Sequence, residues 1–446
     1  MPYRLRSLFS LTGWKTRLVF WVGAIAVGGI AAGFALGAEQ MEEYHRAIVH
    51  ESPYLPLLLT PLGLMMATWL TRRIFPGSHG SGIPQAIAAL HTGSFELRQK
   101  VLSLRIAVGK ILITLLGLLS GATIGREGPT VHVGAALMYS LGRAARFPHR
   151  YLEHGLILAG GAAGISAAFN TPIAGIMFAI EELARTFEER SSGTLLTAVI
   201  VAGVMTIALQ GNYTYFGNTS AVLENPGSWI AVPICGVIGG LIGGAFSAGI
   251  ISGTKRIAPH LGKRPMLVAG LLGLALAGLG ILTHGNSYGA GYVEAKAILT
   301  SSEHPGVLYP LSKMLATMIS YLSGIPGGIF APSLAAGAGL GQDLAPLIPS
   351  APIAAVVILG MVAYFTGVVQ TPITGAVIVM EMVNNHGMVL PIMATAFIAF
   401  GASKLVCRKA IYEALAEEFS SEEARQEAEE AAEVQVETDE ALEDKS

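Results

Sequence analysis

The sequence predicts an all-α membrane protein that crosses the bilayer several times and is built from two related halves. Three observations carry this. Only 13% of the 446 residues are charged and 52% are hydrophobic, whereas a soluble globular chain carries about 25% charged residues. Leu18 to Ala38 is an unbroken stretch of 21 residues without an ionisable side chain, and about 20 such residues span the hydrocarbon core. Finally, Asn170-Thr171-Pro172-Ile173-Ala174-Gly175 recurs 200 residues later as Gln370-Thr371-Pro372-Ile373-Thr374-Gly375, each copy followed by a glutamate at the same distance, Glu181 and Glu381.

Along the chain, residues 1–17 carry Arg4, Arg6, Lys15 and Arg17 and no acid, which places a basic N-terminus on the cytoplasmic side. The Leu18–Ala38 stretch is expected to be a membrane anchor and not a cleaved signal, because further long apolar runs follow it near 52–71, 104–124, 195–210, 228–252, 265–283 and 352–380. A second set of repeated positions supports the two halves: Lys110, Ser120-Gly121, Gly125 and Pro129 match Lys313, Ser323-Gly324, Gly328 and Pro332 at an offset of 203. The membrane domain is therefore drawn at 18–409, with halves of about 18–210 and 228–409, and transporters built this way place their site at the repeat interface. The spacing leaves open whether the halves are inverted or parallel. Residues 410–446 are expected to form a final helix and an acidic cytoplasmic tail, a solvated helix or disorder from about 421.

Of the 30 acids, 14 lie at or after Glu413, where only two bases occur, so the body holds 16 acids against 26 Lys and Arg. That balance suits an anion pathway and equally suits ordinary positive-inside loops. The 55 glycines fit close helix packing and broken helices. Cys235 and Cys407 are expected to be packing residues, and no zinc, haem or nucleotide motif is present, so no cofactor is expected.

Three short segments place glycine four residues before proline: Gly80-Ser81-Gly82-Ile83-Pro84, Gly125-Arg126-Glu127-Gly128-Pro129 and Gly328-Ile329-Phe330-Ala331-Pro332. Proline in a first turn marks a helix start, and an apolar stretch follows each. Taken singly, such a segment is an ordinary loop-to-helix turn. Three together read as helices that begin within the membrane, where free N–H groups and about half a positive charge at each start would bind a small anion. A full cation could hold that anion too tightly for transport.

These segments resemble the signature motifs of the CLC family of chloride channels and chloride/proton antiporters, GSGIP, GREGP and GxFxP, complete and in order, in the prokaryotic type without regulatory cytoplasmic domains. The Asn170–Glu182 stretch and Ala410-Ile411-Tyr412 are also similar to family segments, so the resemblance reaches to about residue 415. It implies an all-helical fold of two inverted repeats, a homodimer with one pathway per subunit, and chloride and protons as the transported species. No nucleic acid or nucleotide partner is implied. The implied location is the bilayer, most simply a bacterial inner (plasma) membrane.

Residue by residue, the resemblance assigns Ser81 and Tyr412 to the central anion through their hydroxyls. Ile329 and Phe330 bind it through backbone N–H groups, and Gly128 and Arg126 lie with them, Arg126 in a structural or electrostatic role more than in direct contact. Glu127 matches the gating and proton glutamate, a carboxylate that competes with the anion for the same N–H groups. Glu182 matches the inner proton glutamate of coupled members, the role preferred here over the alternative that Glu181 and Glu182 simply lie at a cytoplasmic helix end beside Arg185. Glu181 and Glu381, the repeat-related pair, are expected to be structural. Lys110 matches a family lysine near the proton path, and Lys313 receives no role. Two departures bear on the proton route: Gln85 follows Pro84 where many members have glutamate, and Ile87 stands where some antiporters carry a second acid. His79 and His132 are expected to be packing or surface residues. The expected function is proton-coupled chloride antiport. A passive chloride channel and a fluoride/proton antiporter of the same family are the alternatives, the latter disfavoured by Ser81 and Tyr412. A membrane-embedded enzyme is not expected, for want of a nucleophile–base pair or a ligand cluster.

Overall fold

The computed structural model describes residues 11–92, 94–147, 150–184, 192–211, 214–301 and 304–421. Arg4, Arg6, Arg185 and the acidic run from residue 422 lie outside them. Among the described residues the chain is helical, with two isolated β-bridges and no strand. The first half comprises α1 (Leu11–Glu51), α2 (Pro56–Arg73), α3 (Ile83–His91), α4 (Phe95–Val101), α5 (Leu104–Leu119), α6 (Glu127–Ala144), α7 (Arg150–Phe169), α8 (Pro172–Phe178) and α9 (Ser192–Gln210). The second comprises α10 (Ala231–Lys263), α11 (Pro265–Leu282), α12 (Tyr292–Ser301), α13 (Tyr309–Leu322), α14 (Phe330–Leu344), α15 (Ile353–Val369), α16 (Pro372–Val383) and α17 (Val389–Val406). A final helix, α18, covers 411–421. Five helical spans among the described residues are long and apolar enough to cross a membrane: Trp14–Glu51, Phe95–Leu119, Pro226–Lys263, Pro265–Leu282 and His386–Val406.

The helix boundaries follow local chemistry. Proline stands in the first turn of α2, α3, α8, α11, α13 and α16, where its missing N–H costs nothing. Ser94 and Ser103 cap α4 and α5, accepting from the N–H of Leu97 at 3.2 Å and of Ile106 at 3.3 Å. The long apolar run at 352–380 is not one helix. It breaks at Gln370, whose φ of +63° ends α15, and the repeat-related break falls at Asn170, φ +56°.

Small residues set the closest helix crossings. A Cβ at Gly134 on α6 would fall on the Gly160 carbonyl of α7, and one at Gly337 on α14 would press on the Gly360 carbonyl of α15 at 2.8 Å. These two crossings occupy matching places in the two halves. In a bilayer, where apolar burial between helices gains little over lipid contact, such backbone proximity supplies the dispersion contacts that hold helices together. Around α15, buried from Ala355 through Val369, the core is continuous with Phe330, Phe365 and Tyr412.

Candidate functional site

The three glycine–proline loops meet through their backbones. Gly125 and Gly328 exchange N–H···O bonds, each of 2.7 Å. Gly80 donates to the Ile325 carbonyl and accepts from the Gly327 N–H, both at 3.2 Å. The starts of α3, α6 and α14, which the sequence separates by up to about 250 positions, are thereby fixed to one another. Gly82, with φ of +99°, turns the chain into α3; a Cβ there would meet His132 Cβ at 2.7 Å and the Gly128 carbonyl at 3.0 Å. Gly128 in turn packs directly on Ser81, with no room for a side chain.

Ser81, Glu127, Glu182, Phe330 and Tyr412 are all completely buried, and Ile329 nearly so. The Ser81 and Tyr412 hydroxyls are neighbours, yet neither makes a hydrogen bond of good geometry among the described residues. Buried hydroxyls without an acceptor are costly, and here two of them adjoin three helix starts whose first N–H groups have no intrahelical partner. The Phe330 ring closes the surroundings, 5.7 Å from Tyr412, 4.9 Å from Phe365, 6.0 Å from Phe178 and stacked on Phe169 at 6.2 Å between centroids.

Glu127 lies at the first turn of α6, with its carboxylate against Gly125, within reach of the Ala331 N–H of α14, and accepting from the Tyr215 hydroxyl at 3.5 Å. The carboxylate thus touches the starts of two helices at once. Arg126 is directed elsewhere: its guanidinium donates to the Ala35 carbonyl at 2.7 Å and to Glu39 at 3.0 Å on α1, and lies 5.9 Å from the Tyr215 ring. These contacts tie the loop to α1.

Glu182 sits in a widened π-helical turn, Ala179–Ala184, that continues α8; such turns recur at functional positions. It is close enough to the Tyr412 phenol to act on it electrostatically. Lys110, wholly buried, donates to the carbonyls of His79 at 3.3 Å and Gly80 at 3.2 Å, holding the loop that carries Ser81. Gln85 donates to the same His79 carbonyl at 2.8 Å, so an amide serves that loop here, where a carboxylate could not donate. Ile87 is buried in the apolar core, and His132 packs inside with its Nε2 3.0 Å from the Val101 carbonyl. A cavity of about 860 Å³ reaches Ser81, its lining carrying Arg72, Lys100 and Arg105 together with Glu96 and Glu418.

The sequence assigns no role to two residues, Tyr215 and Lys313. Tyr215 lies in an irregular segment with no motif around it, and its contacts with Glu127 and Arg126 mark it. Lys313 donates to four carbonyls, Asn286 at 3.1 Å, Ser287 at 3.3 Å, Tyr288 at 2.7 Å and Gly289 at 3.3 Å; its match to Lys110 was the available signal.

Comparison with known proteins places this geometry in context. The family model described as voltage gated chloride channel matches residues 63–404. The chain is 31% identical over 431 residues to a protein named H(+)/Cl(−) exchange transporter ClcA from Yersinia pestis bv. Antiqua (strain Angola), covering 90% of this chain and 88% of that one. It is 31% identical over 376 residues to the ClcA of Salmonella paratyphi B, covering 81% and 78%. Among solved structures it resembles a slow cyanobacterial Cl−/H+ antiporter, with a TM-score of 0.79, 24% identity and coverage of 91% and 98%. It also resembles a CLC-type fluoride/proton antiporter, with a TM-score of 0.78, 23% identity and coverage of 91% and 99%.

Proposed function

The chain belongs to the voltage-gated chloride channel family, a family of multi-pass membrane proteins, and from that membership we propose that it exchanges chloride, or a similar small anion, for protons across a membrane. The curated relatives covering most of its length carry the name of H(+)/Cl(−) exchangers. The observation that carries the reading is the pair of buried, neighbouring hydroxyls of Ser81 and Tyr412, neither with a well-formed hydrogen bond among the described residues, beside the joined starts of α3, α6 and α14. A compact anion supplies the missing acceptor, and the helix starts stabilise it without a counter-cation to trap it.

In this reading Ser81, Tyr412 and the N–H groups of Ile329 and Phe330 hold the central anion, and Gly128 lets Ser81 come close. The Glu127 carboxylate, already against two helix starts, is a tethered competitor for the same donors. Protonation removes its charge, frees those donors for an anion and loads the proton that is exchanged. Glu182, near Tyr412 on the other side, passes protons towards the cytoplasm. Arg126 contributes charge and braces the loop. The working unit is a homodimer with one pathway in each subunit, in a bacterial inner membrane, with membrane domain and halves as drawn from the sequence. No nucleotide or cofactor takes part in this scheme, and the protein is a transporter, not an enzyme.

The test is proton movement in proteoliposomes under a chloride gradient. Uphill proton movement driven by chloride is the expected result. Chloride flux without it would make the protein a passive channel, and a flux far faster for fluoride than for chloride would reassign the anion.

A further inference from the structure

The second half of the chain contains a structural copy of the loop that carries Ser81. Gly289-Ala290-Gly291 precedes α12 as Gly80-Ser81-Gly82 precedes α3. Gly80 and Gly289 have φ of +65° and +66°, Gly82 and Gly291 of +99° and +81°. Lys110 donates to the carbonyls of His79 and Gly80, and Lys313 to those of Tyr288 and Gly289. A Cβ at Gly82 would meet His132 Cβ on α6; one at Gly291 would meet Ala335 Cβ at 2.5 Å on α14, at the matching place. The same device, two left-handed glycines buttressed by a buried lysine at a helix start, is thus built twice.

The second copy differs in what sits on it. Where Ser81 has a hydroxyl, Ala290 has none, and the Ala290 N–H donates to the Glu42 carboxylate of α1 at 2.8 Å. That carboxylate also lies against Gly289, where a Cβ would meet its oxygen at 3.3 Å, and Lys313 and Arg46 act on it electrostatically from the other elements, opposed by Glu294 on α12. A cavity of about 350 Å³, walled by Glu42, Arg46, Asn286, Gly289 and Gly291, gives access to the loop. On the other side Ala290 and Tyr292 border a small void that also touches Arg126 and Tyr215, and Tyr292 packs on Tyr215 at 4.9 Å between centroids. The loop therefore lies one aromatic ring away from Glu127.

We infer that Gly289-Ala290-Gly291 is a second small-anion site on the Glu127 side of the protein, closed in the native chain by the Glu42 carboxylate, which serves as its built-in anion. The inference rests on the anion-transport reading of the first loop. A carboxylate seated on the N–H of a loop that leads into a helix, with a buried ammonium behind it, has the donors and the charge that a halide would use. Its tether makes it a permanent occupant, which confines anion binding to the loop of the first half. Removing the carboxylate leaves the Ala290 N–H and the α12 start beside the cavity that Glu42 walls, with the Lys313 charge buried behind the loop, so a halide should enter, more weakly than at Ser81 because no hydroxyl contributes.

The experiment is anomalous diffraction from crystals of the full chain grown in bromide, native and Glu42→Ala. The expected result is a bromide beside Ser81 and Tyr412 in both, and one additional bromide per subunit at the Ala290 N–H in the variant alone. Bromide beside Ser81 but none at Ala290 in the variant overturns this inference and leaves the functional reading standing. A second bromide at Ala290 in the native protein overturns the role of Glu42 as occupant. Absence of bromide from both loops overturns the functional reading and this inference with it. If Glu42→Ala does not fold, Glu42→Ser removes the same carboxylate and is judged by the same peaks.

Discussion

Glu181 and Glu381 cap each other's half of the molecule. The Glu181 carboxylate accepts from the N–H groups of Ile373 at 3.1 Å and Thr374 at 2.6 Å, at the start of α16. The Glu381 carboxylate accepts from Ile173 at 3.2 Å and Ala174 at 2.7 Å, at the start of α8. Each glutamate follows its own Thr-Pro break by ten residues and satisfies the free donors left by the other break. The reciprocity locks the two halves to each other, while the adjacent Glu182 turns inward to the Tyr412 side.

Removing one of these caps should cost stability without touching the anion site. Glu381→Ala strands the Ile173 and Ala174 donors, and we expect a loss of roughly 1–3 kcal/mol. Denaturant unfolding in detergent reads it. An unshifted midpoint would show that the cross-half caps contribute nothing.

Glu127→Gln should abolish proton movement and leave anion flux nearly independent of pH. Glutamine keeps the shape and hydrogen-bonding reach at the two helix starts but neither binds the exchanged proton nor carries the competing charge. Chloride efflux and proton influx are measured in the same vesicles between about pH 4.5 and 7.5, a window above the ordinary glutamate value of ~4.3. Retained coupling would remove Glu127 from the mechanism.

Glu182→Gln should keep anion flux and lose proton flux, because a buried amide cannot titrate. In the proposed scheme Glu182 takes the inner step, and Ile87 stands in the apolar core where some antiporters of the family carry a second acid. Uphill proton pumping at the native rate in this variant would route protons through another residue.

Ser81→Pro should raise the preference for nitrate over chloride. The substitution removes a directed hydroxyl donor that favours a compact anion and leaves the helix starts in place. Flux ratios in liposomes check it, and an unchanged ratio would take Ser81 out of the site.

Gly82→Ala should disable the loop itself. A φ of +99° costs a residue with a side chain ~1–3 kcal/mol, and the added methyl would meet His132 and the Gly128 carbonyl. The expected outcome is loss of chloride efflux in whatever fraction still elutes as folded protein; full efflux would mean that the loop tolerates rearrangement.

The residues of the proposed site came from the resemblance to a family, while the sequence by itself determined the membrane class and the helix starts. Those features are written locally: proline after glycine, long uncharged runs, and a glutamate ten residues beyond each Thr-Pro break. What only the tertiary structure decided is which of these local features touch. Gly125 pairs with Gly328 and Gly80 with the Ile325–Gly327 segment, contacts between positions about 200 and 250 apart that no periodicity encodes. Arg126 carries a fixed charge within a signature motif, yet its guanidinium is committed to Ala35 and Glu39 on α1. The copy of the Ser81 loop at Gly289 is hidden in the sequence because its offset is 209, not the 203 of the lysines or the 200 of the Thr-Pro breaks. Loops of unequal length shift the register of a repeat in sequence, whereas packing restores it in space, because buried donors and acceptors must find partners wherever the chain happens to supply them.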